Sequence, residues 1–157
     1  MKTVSSFFSK IISASLFIFM AILVAITFFQ VLCRFVLKIP AVWSEEIARM
    51  SFVWLIFLGS AIGVKEGTHL MLDMLTASVS PRLRKIMQIF VLLMIIGMAG
   101  IILYAGGNYC WLSRGKTTVT LPIPANIIYL AIPLSALLMI FFGIEKLREK
   151  IREKGED

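Results

Sequence analysis

A chain of 157 residues that is 59% hydrophobic and 16% charged, with a mean hydropathy of +0.93, has too few polar residues to clothe a soluble domain. This composition excludes a water-soluble globular protein and leaves an all-α integral membrane protein with a single domain over residues 1–157. The net charge of +7 then belongs to tails and loops beside anionic lipid headgroups, and needs no nucleic acid to explain it.

The first uncharged run, Ile11–Cys33, has 23 residues, enough to cross a bilayer core at about 1.5 Å per residue. Lys2 and Lys10 flank it. It exceeds a signal-peptide core and no A-x-A-like cleavage site follows, so it is read as an uncleaved span over 11–33. Next comes "RFVLKIPAVW", residues 34–43. There Arg34 and Lys38 are placed to reach phosphates while the apolar residues between them dip into the interface.

The second uncharged run, Met50–Val64, has only 15 residues. That makes about 22 Å of helix against a core of roughly 30 Å. To span, this helix must recruit its own first turns and run over about 44–64. Ser44 is then the expected N-cap, with Glu45 and Glu46 in the first turn, where they suit the helix dipole. The extension draws Arg49 into the interface, where an arginine is costly unless paired. Glu45 at i, i+4 and Glu46 at i, i+3 both lie on reachable faces. Two readings follow: a self-contained ion pair, or a polar patch buried against another protein with a carboxylate to spare. Trp54 and Phe57 crowd the same helix, and Gly59 and Gly63 have the spacing that lets helices approach closely.

The loop "KEGTHLMLDMLTASVSPRLRK" (65–85) is too apolar to be free, and predicts a short helix in the interface or against a partner. Ser80-Pro81 reads as the cap and first residue of the third helix, whose span is expected over 86–112. Its "GMAG" and Gly106-Gly107 thin it. The loop 113–124 turns at Gly115. The fourth span, 125–144, is entered through Pro124 and kinked at Pro133. The alternating charges of the tail continue this helix as a solvated face. Four spans put both termini on one side. The tails and the 65–85 loop hold eleven basic residues against five elsewhere, so both termini are expected to be cytoplasmic. Cys33 and Cys110 fall near the same ends of their spans and read as small packing residues; a disulfide is geometrically conceivable, and their redox state stays open.

The spans carry no charge at the midplane; Gln30, Gln88, Asn108 and Asn126 lie towards the ends. Ion-coupled carriers rely on an intramembrane ionisable group, so this chain is a poor transporter by itself. His69 and Asp73, spaced i, i+4, supply two potential ligands, which do not make a metal site. The sequence has no phosphate-binding loop, nucleophile–base pair or cofactor motif. No enzyme, metal or cofactor is expected.

The stretch "WSEEIARMSFVWLIFLGSAIGVKEGTHLMLDML" (43–75) resembles the small membrane subunit of TRAP transporters, the tripartite ATP-independent periplasmic uptake systems of bacteria. The likeness rests on three blocks. Trp43, Ser44, Glu46 and Arg49 fit W-[ST]-x-E-[IL]-x-R. Val53, Trp54, Phe57, Leu58 and Gly59 fit V-W-x-x-F-[LI]-G, and Gly67, His69 and Asp73 fit G-x-H-x-x-x-D. "LPIPANIIYLAIPL" (121–134) is similar to the family's entry to the fourth span.

The resemblance implies a division of labour in the bacterial inner membrane. A periplasmic protein captures an organic acid, a large multi-span subunit moves it by a sodium-coupled elevator motion, and the small subunit enlarges the fixed scaffold and helps to receive the binding protein. On this reading Trp43, Ser44, Glu45, Glu46, Arg49, Trp54, Phe57, Gly59, Gly63, His69 and Asp73 belong to the interface with the large subunit. Arg34, Lys38, Arg114 and Lys116 meet phospholipid heads or the binding protein. The rival reading, a four-span homo-oligomeric multidrug-type exporter, calls for an acidic residue inside an early span.

Overall fold

A computed structural model describes residues 2–39, 41–66, 81–118 and 120–152. His69, Asp73, Ser80 and the expected interfacial helix of the 65–85 loop lie outside the described residues, as does the end of the charged tail. Helix α1 covers Lys2–Leu32 and runs into a π-helical turn, Cys33–Leu37. Then follow α2 (Val42–Glu66), α3 (Pro81–Leu112), the short α4 (Ala125–Tyr129) and α5 (Ala131–Arg152). Among the described residues, four segments are long and apolar enough to cross a membrane: Ser5–Leu37, Val42–Glu66, Lys85–Leu112 and Ala125–Arg152.

The helix ends follow from local chemistry. The first helix does not stop at Cys33: Arg34–Leu37 extend it, and Lys38 ends it in the left-handed region at φ 54°, ψ 29°. There the Ile39 N–H donates to the Cys33 carbonyl at 3.1 Å, closing carbonyls that the helix leaves open. Helix α2 begins at Val42, so Ser44 is not its N-cap. Its hydroxyl donates 2.6 Å back to the Ala41 carbonyl, whereas a capping hydroxyl would accept from an N–H further along. Helix α3 opens on Pro81, where the missing N–H would have had no partner anyway. Pro133 has no N–H to give to the Tyr129 carbonyl four residues back. The last helix is accordingly broken at Leu130, between α4 and α5.

Helix α2 packs between α1 and α5, and α5 packs in turn on α3, giving the lateral order α1–α2–α5–α3. The core forms where the first three meet: Ile12, Leu58, Ala61, Val64 and Phe142, flanked by Leu16, Phe19 and Trp54. Below this cluster, Lys65 ties the three helices together. Its ammonium donates 2.6 Å to Ser9 Oγ and 3.2 Å to the Ser5 carbonyl, and lies 5.6 Å from the Phe142 ring centre.

Close helix approach depends on glycines other than the expected pair. A Cβ on Gly106 would stand 2.5 Å from Ile132 Cγ2, and one on Gly143 would stand 2.8 Å from Ile96 Cγ1. Among the described residues, the α3–α5 contact is therefore the one that needs glycine. A Cβ on Gly59 would lie an ordinary 4.0 Å from Leu16, and one on Gly63 would meet nothing within 4 Å. Gly106→Val should lower stability by about 1–3 kcal/mol through overpacking against Ile132. Gly107→Ala, which fills open space, should be neutral or stabilising by about 0.5–1 kcal/mol. Thermal unfolding of the two variants in detergent checks both.

Candidate functional site

The conspicuous polar arrangement is a clasp between the start of α2 and the connection from α3 to α4. That connection turns at Ser113–Gly115, with Gly115 at φ +82°, a conformation suited to glycine. It then doubles back: Thr117 bridges antiparallel to Pro124, Thr118 N–H donates to the Ile123 carbonyl at 3.0 Å, and Ala125 N–H donates to Lys116 at 2.8 Å. At the tip of this narrow loop the backbone N–H groups of Thr120 and Leu121 point at Glu46. They donate to its Oε1 and Oε2, each at 3.0 Å. Two parallel charge-assisted bonds fix both position and orientation. The Glu46 side chain is only 6% exposed, so the pairing takes place largely out of solvent.

Glu45, one residue earlier, points elsewhere. Its Oε1 accepts from Gln30 Nε2 at 3.2 Å, joining α2 to the end of α1. The two carboxylates thus hold different elements, and the expected pairing of either with Arg49 does not form. No ion pair to Arg49 occurs among the described residues. The guanidinium is exposed and lies within electrostatic reach of the Tyr129 hydroxyl, whose ring meets Tyr109 edge-on at 4.6 Å. A neutral phenol does not cancel a charge.

The other residues singled out by sequence fall into two groups. Some face other parts of the chain: Ser44 is fully buried, Trp54 stacks on Phe19 at 5.6 Å, Trp43 lies 5.6 Å from Phe29, and Gly59 turns towards Leu16. Phe57 is half-buried, while Gly63 is exposed. Arg34, Lys38, Arg114 and Lys116 are all exposed. Arg114 lies 4.0 Å over the Trp111 ring and Arg34 lies 6.0 Å from Phe35, so both guanidinium groups sit beside interface-type aromatics.

Thr120, Leu121, Gln30, Lys65, Ser5 and Ser9 were not singled out by the sequence, yet they carry the cross-chain polar contacts. The one advance signal was Gln30, a polar side chain near the end of an otherwise apolar span. The Thr120 and Leu121 contributions are backbone groups, which no side-chain pattern announces.

Glu46→Gln should loosen the clasp, because an amide offers one acceptor oxygen where the carboxylate offers two. Amide exchange at Thr120 and Leu121 should quicken by about tenfold, the order expected for losing a charge-assisted hydrogen bond. Exchange within α3 should not change. Exchange mass spectrometry in detergent reads both.

Comparison with known proteins places this fold in a family. Residues 23–153 match the model of the DctQ component of tripartite ATP-independent periplasmic transporters. The sialic acid TRAP transporter small permease protein SiaQ of Vibrio cholerae is 25% identical over 128 residues, covering 82% of this chain and 74% of that protein. The C4-dicarboxylate TRAP transporter small permease protein DctQ of Rhodobacter capsulatus is 32% identical over 109 residues, 66% of this chain and 46% of that protein. The sialic acid TRAP transporter permease protein SiaT of Haemophilus influenzae is 31% identical over 122 residues, 74% of this chain but 19% of that much longer protein. With four apolar segments long enough to cross a membrane and a family match from within the first of them to the end of the last, the chain belongs to the DctQ family, the small permease components of TRAP transporters.

Proposed function

We propose that this chain is the accessory subunit of a sodium-coupled, binding-protein-dependent uptake system for an organic acid in the bacterial inner membrane. A large permease subunit moves the substrate, and this chain widens the scaffold on which that movement takes place. The observation that carries the reading is the family match across residues 23–153. The relatives named for sialic acid and C4-dicarboxylate transport make an organic acid the substrate class. The similarity to a minor part of the longer SiaT permease supports a large membrane partner.

The distribution of charge agrees. Apart from Arg49, two turns inside α2, the long spans keep ionisable side chains near their ends, with none at the midplane, so coupling an ion to transport falls to another chain. Both termini face the cytoplasm, on the excess of basic residues in the tails and the 65–85 loop. The clasp end is then periplasmic. There Arg34, Lys38, Arg114 and Lys116 contact phospholipid headgroups or the arriving binding protein. An exporter working alone is disfavoured by family membership and by the absence of an acidic residue deep in an early span.

Vesicles reconstituted with this chain, its large permease and the binding protein should accumulate a labelled sialic acid or C4-dicarboxylate under an inward sodium gradient. Vesicles lacking this chain should lose most of that uptake, and vesicles holding this chain alone should show none. Transport by this chain alone would overturn the proposal.

A further inference from the structure

Each long helix presents an outward stripe, and three of the four are apolar. On α1 it includes Phe17, Val24 and Phe28; on α3, Phe90, Met98 and Ile101; on α5, Leu134, Leu137 and Phe141. Lipid tails cover such surfaces as well as protein does, so these stripes need no partner. Helix α2 differs. Its outward positions recur at steps of three and four residues as Glu45, Arg49, Phe52, Ile56, Ser60 and Gly63, all exposed. This stripe carries a charge within the span and small residues at its far end.

Arg49 lies seven residues inside α2, about 10 Å along the axis from its first residue. Neither neighbouring carboxylate pairs with it: both oxygens of Glu46 accept from the Thr120 and Leu121 amides, and Glu45 Oε1 accepts from Gln30. A guanidinium at that depth requires an anion, and charged groups in spans turn towards protein far more often than towards lipid. Ser60 and Gly63 allow another helix to approach closely on the same side. In the SiaT permease the segment similar to this chain is a minor part of a longer polypeptide, so in that relative this unit is built into a larger membrane protein.

We infer that the outward stripe of α2 is the docking surface for the large permease subunit, with Arg49 meeting a carboxylate of that partner. The inference rests on the accessory-subunit reading and adds which face is covered and by what chemistry. It also moves the interface away from Glu46, Trp54 and Gly59, which the fold turns inward, and onto Arg49, Phe52, Ile56 and Gly63.

The test uses the full chain co-expressed with the large permease. Photoreactive p-benzoylphenylalanine substituted at Phe52 or Ile56 should give a covalent adduct with the permease. The same probe at Phe17 or Met98, on the α1 and α3 stripes, should give none. Arg49→Gln should weaken co-purification by about thirtyfold or more, the usual effect of leaving one member of a buried charge pair alone. Arg49→Lys should recover part of it. Adducts from positions 17 or 98 but not from 52 or 56 would overturn the docking face while leaving the accessory reading intact. Retention of Arg49→Gln at wild-type level, with Arg49 instead holding a phospholipid phosphate, would overturn the charge pairing. Failure of any large membrane protein to accompany the wild-type chain would overturn the accessory reading and the docking face together.

Discussion

Both oxygens of Glu46 are committed to the backbone amides of Thr120 and Leu121, and much of the structure at that end follows from this commitment. It ties α2 to a loop 74 residues further along the chain, and so fixes how the α3–α4 connection lies over the bundle. It satisfies two backbone donors at the tip of a narrow loop, where they would otherwise depend on water. It also turns the Glu46 carboxylate towards the loop, and no ion pair with Arg49 forms.

The four long helices form a row with two open edges. Helices α2 and α5 each pack on two neighbours, while α1 and α3 stand at the edges of the row. The edge helices are apolar on their free sides, which lipid tolerates. One end of the α1–α2–α5 group is tied by Lys65 through Ser5, Ser9 and Phe142, and the other by the Gln30–Glu45 and Glu46–loop bonds. Polar contacts at the two ends hold the register while the middle packs by shape alone.

Much of the fold was legible in the residues because the bilayer imposes simple rules. Uncharged runs located four spans, Pro81 opened a helix, and Pro133 interrupted one. What failed to read through was mostly long-range or depended on orientation. The i, i+4 spacing of Glu45 and Arg49 suggested an ion pair, but the competing partners, Gln30 and the Thr120–Leu121 amides, lie in other elements. Gly59 and Gly63 had the spacing of a close contact, yet the tight approach occurs at Gly106, one of the glycines expected to thin the third helix, and at Gly143, which no spacing marked. Ser44 looked like a cap because a serine precedes two glutamates; the helix starts two residues earlier and uses that hydroxyl as a donor.

As proposed, this chain works beside a larger permease and does not transport by itself. Affinity purification of the full chain from its own membrane in mild detergent, followed by mass spectrometry and mass determination of the intact complex, tests it most directly. One large, many-span membrane protein should accompany it in equal stoichiometry. Recovery of this chain alone, as a monomer or a stable homodimer, would contradict it.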